Sequence, residues 1–211
     1  ASRGFIVVSV DENFVNGTWS GDFVGKEMQT RGWLLLQHLN VWRQWNQTKD
    51  HQFFGKVDID QIALIGHSRG GEAIAIAAAF NDLDFYPDNA LLKFDFHFNI
   101  RSLISLAPTD KRYTRRLTLS NVNYLTLQGG YDSDEPSFFG MWQVERITFD
   151  SDKYYFKSGL YMPGANHGQF NSVWKQDGRP PSSWMLNVKP LITEAAQQQA
   201  AKVYISAFLE A

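Results

Sequence analysis

An α/β architecture, a mostly parallel sheet flanked by helices, follows from how segments alternate along this chain. Short β-branched apolar runs suit strands buried on both faces, and they alternate with longer segments whose apolar residues recur at helical spacing. The residues with distinctive chemistry fall just after strand-like runs, where parallel sheets gather their functional loops. The 211 residues are enough for one substantial core. No repeat or linker divides them, so 1–211 is expected to form a single domain.

Phe5-Ile-Val-Val-Ser-Val10 is short, apolar and β-branched, and predicts a buried strand. A Gly/Asn/Asp-rich loop follows through Gly25. Lys26 to Gln47 places Trp33, Leu36, Val41 and Trp45 at helical spacing, which predicts a long amphipathic helix. Ile62–Ile65 is a second strand, and Glu72 to Phe80 an Ala-rich helix. Asn81 to Asn99 is polar and aromatic, an excursion rather than regular structure. Leu103–Leu106, Tyr124–Leu127 and Tyr154–Tyr161 supply three further strands. Gln169 to Pro190 contains Gly178, Pro180 and Pro181 and predicts a surface loop. Thr193 to Leu209 closes the chain as a helix with Thr193 as N-cap.

Composition narrows the chemistry. The formal net charge is −2, which points to neither nucleic acid nor an acidic membrane surface. With no Cys, a thiol nucleophile, a cysteine zinc site and a disulfide framework are excluded. No apolar run is long enough to span a bilayer. Aromatic residues make up 15% of the chain, which suits a plain core and an aromatic-lined pocket equally well. Asn16-Gly17-Thr18 and Asn46-Gln47-Thr48 fit the glycosylation sequon, a pattern common by chance.

The most informative stretch is "LIGHSRGG", a strand-like run that breaks at Ser68 into the Ala-rich helix. A sharp strand-to-helix turn strains the serine backbone and lifts its hydroxyl out of the sheet. Gly66 and Gly70 are expected where side chains would clash with the adjoining strand and helix. The new helix points its unpaired N–H groups at the serine, so the N–H of Arg69 can stabilise an oxyanion. The Arg69 side chain is expected to make a structural ion pair instead. A serine hydroxyl needs a base. Of the five histidines, His38 lies in a helix, His51 in a polar loop and His97 among alternating phenylalanines. His67 occupies the elbow position expected to point away from the reacting centre. His167 follows the last strand in a small-residue loop with Gly164, Ala165 and Gly168, and is the preferred base. It needs an orienting carboxylate, and Asp132 follows a strand in "LQGGYDSDEP". Asp134 and Glu135 compete with it, and Asp132 is preferred. Phe138, Phe139, Trp142 and Phe170 lie near these residues in sequence and suit the lining of an apolar cleft or of the core. Asp82, Asp84 and Asp88 read as a turn-forming, solvated loop in preference to a cation site.

The order Ser68, Asp132, His167 and the motifs "GHSRGG", "LQGGYDSD" and "GANHGQF" resemble the α/β-hydrolase superfamily across essentially the whole chain. "GHSRGG" is similar to the elbow of chlorophyllases. The broader pattern resembles cutinase-like, polyester-cleaving esterases and platelet-activating-factor acetylhydrolase-like enzymes. The resemblance implies an α/β-hydrolase fold and a serine hydrolase cleaving carboxylic esters through an acyl-enzyme. Ser68 would be the nucleophile, His167 the base and Asp132 its orienting acid, with a small-molecule or polymeric ester as substrate and no metal or organic cofactor. Secreted or periplasmic localisation follows from the same analogy. One departure stands out. "ASRGFIVVSVD" resembles the family's fourth strand, so the N-terminal strands, and the loop carrying the second oxyanion donor, are not represented. Either they lie upstream of Ala1, which is preferred, or Phe5–Val10 takes the third strand's place and the Asp11–Trp19 loop supplies the donor. A catalytically silent hydrolase-fold binding module, or a peptidase or thioesterase using the same triad, is the alternative reading.

Overall fold

The structure, a computed structural model, describes residues 4–16, 26–175, 177, 185 and 187–211. In chain order it contains α1 (Asn13–Asn16), α2 (Lys26–Gln47), β1 (Ile62–His67), α3 (Arg69–Asn81), β2 (Phe85–Tyr86), β3 (Asn89–Lys93), β4 (Ile100–Leu106), β5 (Leu119–Ser120), β6 (Asn123–Gly129), α4 (Phe139–Glu145), β7 (Ile147–Thr148), β8 (Lys157–Met162) and α5 (Glu194–Glu210).

A four-stranded parallel sheet in the order β1-β4-β6-β8 forms the centre. Alternate side chains serve its two faces, as a strand's period of two requires. Leu64, Leu103 and Tyr124 point to one face and pack with α2 and α3, while Ile104, Leu125 and Leu127 point to the other and pack with α5. Helices therefore cover both faces. α2 joins α3 through Gly32, where a Cβ would lie 2.6 Å from the Ile76 side chain and 3.0 Å from the Ala77 backbone N. Thr193 caps α5, its side chain accepting from the Ala196 N–H at 3.2 Å.

Several expectations need correcting. Phe5–Val10 is not a strand. It runs without a ladder partner, and Val7 is 71% exposed. β-branched composition makes a strand only where an edge is close enough to pair, and here a groove of about 680 Å³ lies between this segment and β1. Leu35, Leu39, Ala73 and Ile74 line the same groove. In α2 the buried stripe runs through Met28, Gly32 and Leu36, whereas Trp33, Val41 and Trp45 are exposed. The helix bounds were legible, but three large side chains marked the wrong face. The excursion after α3 contains an antiparallel hairpin, β2 with β3. In it Asp88 pairs with Arg115 and accepts from Gln29 and Tyr86, and Asp84 lies 3.6 Å from His97. α4 has no counterpart among the elements the sequence predicts. Its residues carry no helix signal beyond aromatics that suit a cleft or the core alike.

Candidate active site

β1 and α3 meet at Ser68 with no intervening loop. Ser68 has φ 57° and ψ −124°, a conformation that costs a non-glycine residue about 1–3 kcal/mol and persists only where its surroundings impose it. They do so here. Its N–H donates to the Leu106 carbonyl at 2.9 Å, and its own carbonyl accepts from Gly71 at 2.9 Å and Thr109 at 3.2 Å. Gly66 is required, since a Cβ there would sit 2.0 Å from the Gly70 carbonyl oxygen. Gly70 is not required for its own sake: a Cβ on it meets nothing within 4 Å. The tight glycine on the helix side is Gly71, whose Cβ would meet Pro108 at 2.5 Å. The loop that supplies Pro108 and Thr109 is in turn fastened to α3 by buried Glu72. Its carboxylate accepts from the Thr109 hydroxyl at 2.5 Å and the Tyr113 N–H at 2.7 Å. Burial raises the Glu72 pKa, against the lowering effect of those hydrogen bonds.

Asp132 and His167 come together at the ends of β6 and β8. The His167 Nδ1–Asp132 Oδ2 distance is 3.0 Å, and both side chains are almost fully buried. A carboxylate only accepts, so Nδ1 carries the proton and Nε2 presents its lone pair. The other Asp132 oxygen accepts the N–H groups of Asp134 at 3.1 Å and Glu135 at 2.8 Å, which fixes the carboxyl plane. Of the two competing aspartates, then, Asp132 takes the Nδ1 side. Asp134 is largely exposed and lies on the opposite side, 3.4 Å from Nε2. Burial disfavours the imidazolium of His167. The Asp132 hydrogen bond and the charges of Asp132, Asp134 and Asp177 outweigh it, and the pKa is raised above 6.5. His167 Nε2 is buried without a hydrogen bond, so it is not bonded to Ser68 in this structure.

His67 does not point away from this centre. Its Nε2–H donates to the His167 carbonyl at 3.1 Å, and the two rings lie 4.8 Å apart. Burial and the neighbouring His167 lower its pKa to about 4, so it is the neutral partner of the pair. Trp174 lies parallel to the His167 ring at 6.3 Å and tilted against His67 at 5.2 Å. Phe170, half-buried, stands 6.0 Å from His67. Phe138 and Trp142 are exposed, and Phe138 packs on Tyr161 at 5.6 Å. Phe139 is core instead, buried beneath the Lys111 ammonium.

The Arg69 N–H heads α3, where a helix start leaves amides without intrahelical partners. Its guanidinium pairs with Glu27 at 2.6 Å, and Arg31 links Glu27 to Glu12, so the side chain ties α3 to α2 as expected. Of the Asp11–Trp19 segment, Gly17–Trp19 lie outside the described residues, as does part of the first sequon. In the second sequon the Asn46 amide is committed to both backbone groups of Val57, at 2.9 Å each. Among the described residues no group of three or more His, Cys, Asp or Glu is placed to hold a metal ion. None of their helices is long and apolar enough to cross a membrane.

Sequence reasoning missed Trp174 and Asp177. Asp177 is buried and receives backbone N–H groups from both the Asp132 and the His167 loops. Both residues lie in a stretch whose Gly and Pro content reads as a solvated loop, and a lone acid there gives no local signal. No protein-family model matches the chain, and no curated protein matches it.

Proposed function

We propose that the protein is a serine hydrolase with an α/β-hydrolase fold that cleaves carboxylic esters through an acyl-enzyme on Ser68. The observation that carries this reading is the strained backbone of Ser68 at the head of α3. A buried serine has no structural need of that conformation, whereas a nucleophile presented to an N-terminal helix amide does. The neutral Nε2 of His167, oriented by Asp132, supplies the base. His167 takes the Ser68 proton as Oγ bonds to the ester carbon, and the Arg69 N–H receives the negative charge that gathers on the carbonyl oxygen. The proton then passes to the departing alcohol as the C–O bond breaks. Water repeats both steps, releasing the acid and freeing Ser68. Exposed Trp174, against His167, offers apolar surface beside the base, which suits an acyl or alcohol group with apolar bulk.

The test is covalent labelling by a fluorophosphonate, together with turnover of p-nitrophenyl acetate. Wild type should label and turn over. Ser68→Ala should not label, and its kcat should fall by roughly 10⁵–10⁶-fold. A folded wild type that neither labels nor turns over ester would overturn the reading and leave a binding module in its place.

A further inference from the structure

One buried carboxylate at the site takes no part in that chemistry. Asp177 is 9% exposed. Its Oδ2 accepts the backbone N–H of His167 at 3.0 Å and that of Ser133 at 3.0 Å, with the Ser133 hydroxyl at 3.5 Å. Its Oδ1 accepts the Gly168 N–H at 2.6 Å. Ser133 directly follows Asp132, and the other two donors belong to the loop that carries His167. The two loops come from different strands, β6 and β8. The two loops are tied at their base by the Tyr131 N–H to the Ala165 carbonyl at 2.8 Å, and the Asp177 carboxylate is a second bridge, nearer the Asp132–His167 bond. The approach is also built into the chain. A Cβ on Gly168 would sit 2.4 Å from the Lys175 carbonyl oxygen and 3.3 Å from Asp177 Oδ1. A carboxylate suits three converging N–H donors because both of its oxygens only accept, and charge-assisted bonds of this kind are roughly twice as strong as neutral ones. An asparagine would turn an NH₂ group toward at least one of the donors.

We infer that Asp177 is a positioning residue, which sets the spacing between the Asp132 and His167 loops and thereby aims His167 Nε2 at Ser68. The inference rests on the hydrolase reading above. The charge of Asp177 also acts on His167, which faces Asp132, Asp134 and Glu135 from the loop after β6, His67 from the elbow, and Asp177 from its own segment. Loss of the Asp177 charge removes one of the carboxylates that favour the imidazolium.

The experiment is Asp177→Asn, assayed per folded molecule with p-nitrophenyl acetate across pH. The expected result is a kcat lower by roughly 10–100-fold at the plateau with KM nearly constant, because misaimed bases lose turnover faster than binding. Fluorophosphonate labelling should slow in parallel, and the acid limb of kcat/KM should move to lower pH. A folded Asp177→Asn variant with wild-type kcat and an unmoved limb overturns the inference. So does a loss of activity that merely follows the unfolded fraction. Amide hydrogen exchange in the wild type provides a second measurement that needs no folded variant. The N–H groups of Ser133, His167 and Gly168 should exchange together through one shared opening, and independent exchange would overturn the bridge. Failure of the hydrolase reading is distinguishable, since there the wild type itself does not label.

Discussion

His167 shows how single residues divide the work. Asp132 holds Nδ1 and sets the tautomer, while Asp134 faces Nε2 from the exposed side at 3.4 Å. A histidine acts as base only when neutral, and its folded pKa lies above 6.5. Activity should therefore rise with pH through a limb above that value. The imidazolium is the form the folded state favours, so its contribution to stability is full below 6.5 and is lost as the pH rises through the folded value. Asp134→Asn removes one favouring charge, so the limb should move to lower pH and activity at pH 6 should rise a few-fold, as a pH–kcat/KM profile would show. An unmoved limb would mean that the exposed carboxylate is screened by solvent. The sequence made Asp132, Asp134 and His167 visible because each follows a strand and carries chemistry. It hid the role of His67, because which way an elbow side chain turns depends on a partner 100 residues away.

The junction of β1 and α3 is where local sequence and tertiary structure agree best. The chain reverses within Ser68, and at the turn itself the Gly66 and Gly70 backbones meet without side chains between them. Gly66→Ala should cost about 3 kcal/mol or more, since the clash is with a carbonyl that cannot turn aside. Gly70→Ala should be tolerated and should gain up to about 1 kcal/mol in helix propensity. Urea unfolding of the two variants separates them, and equal losses would contradict this account. A glycine-fenced motif announces a tight turn but not which glycine is tight, because that depends on the chain crossing behind it, here Pro108 against Gly71. The same limit explains α2. Its length was readable from spacing, yet the face it buries was chosen by Gly32, the small residue that lets α3 come close.

Across the molecule the parallel sheet and its covering helices were legible from the alternation of segments, whereas the edge of the sheet was not. Phe5–Val10 has strand composition and no ladder partner, for pairing is a property of two segments and composition of one. Val7→Lys should therefore change stability by no more than about 0.5 kcal/mol. Leu103→Ala, in the fully buried centre, should cost about 2–5 kcal/mol, and thermal unfolding compares the two. If Val7→Lys were the costlier, the segment would be packed in solution. The hydrogen bonds around Ser68 have a consequence at this scale. Its N–H is bonded to the end of β4 and its carbonyl to the loop beyond, so Ser68 is anchored to the middle of the sheet and not to a movable flap. The serine can relax its backbone only when the sheet opens. On the hydrolase reading, heat should then not displace the serine ahead of the fold: loss of fluorophosphonate labelling at Ser68 and melting of the sheet should coincide in temperature.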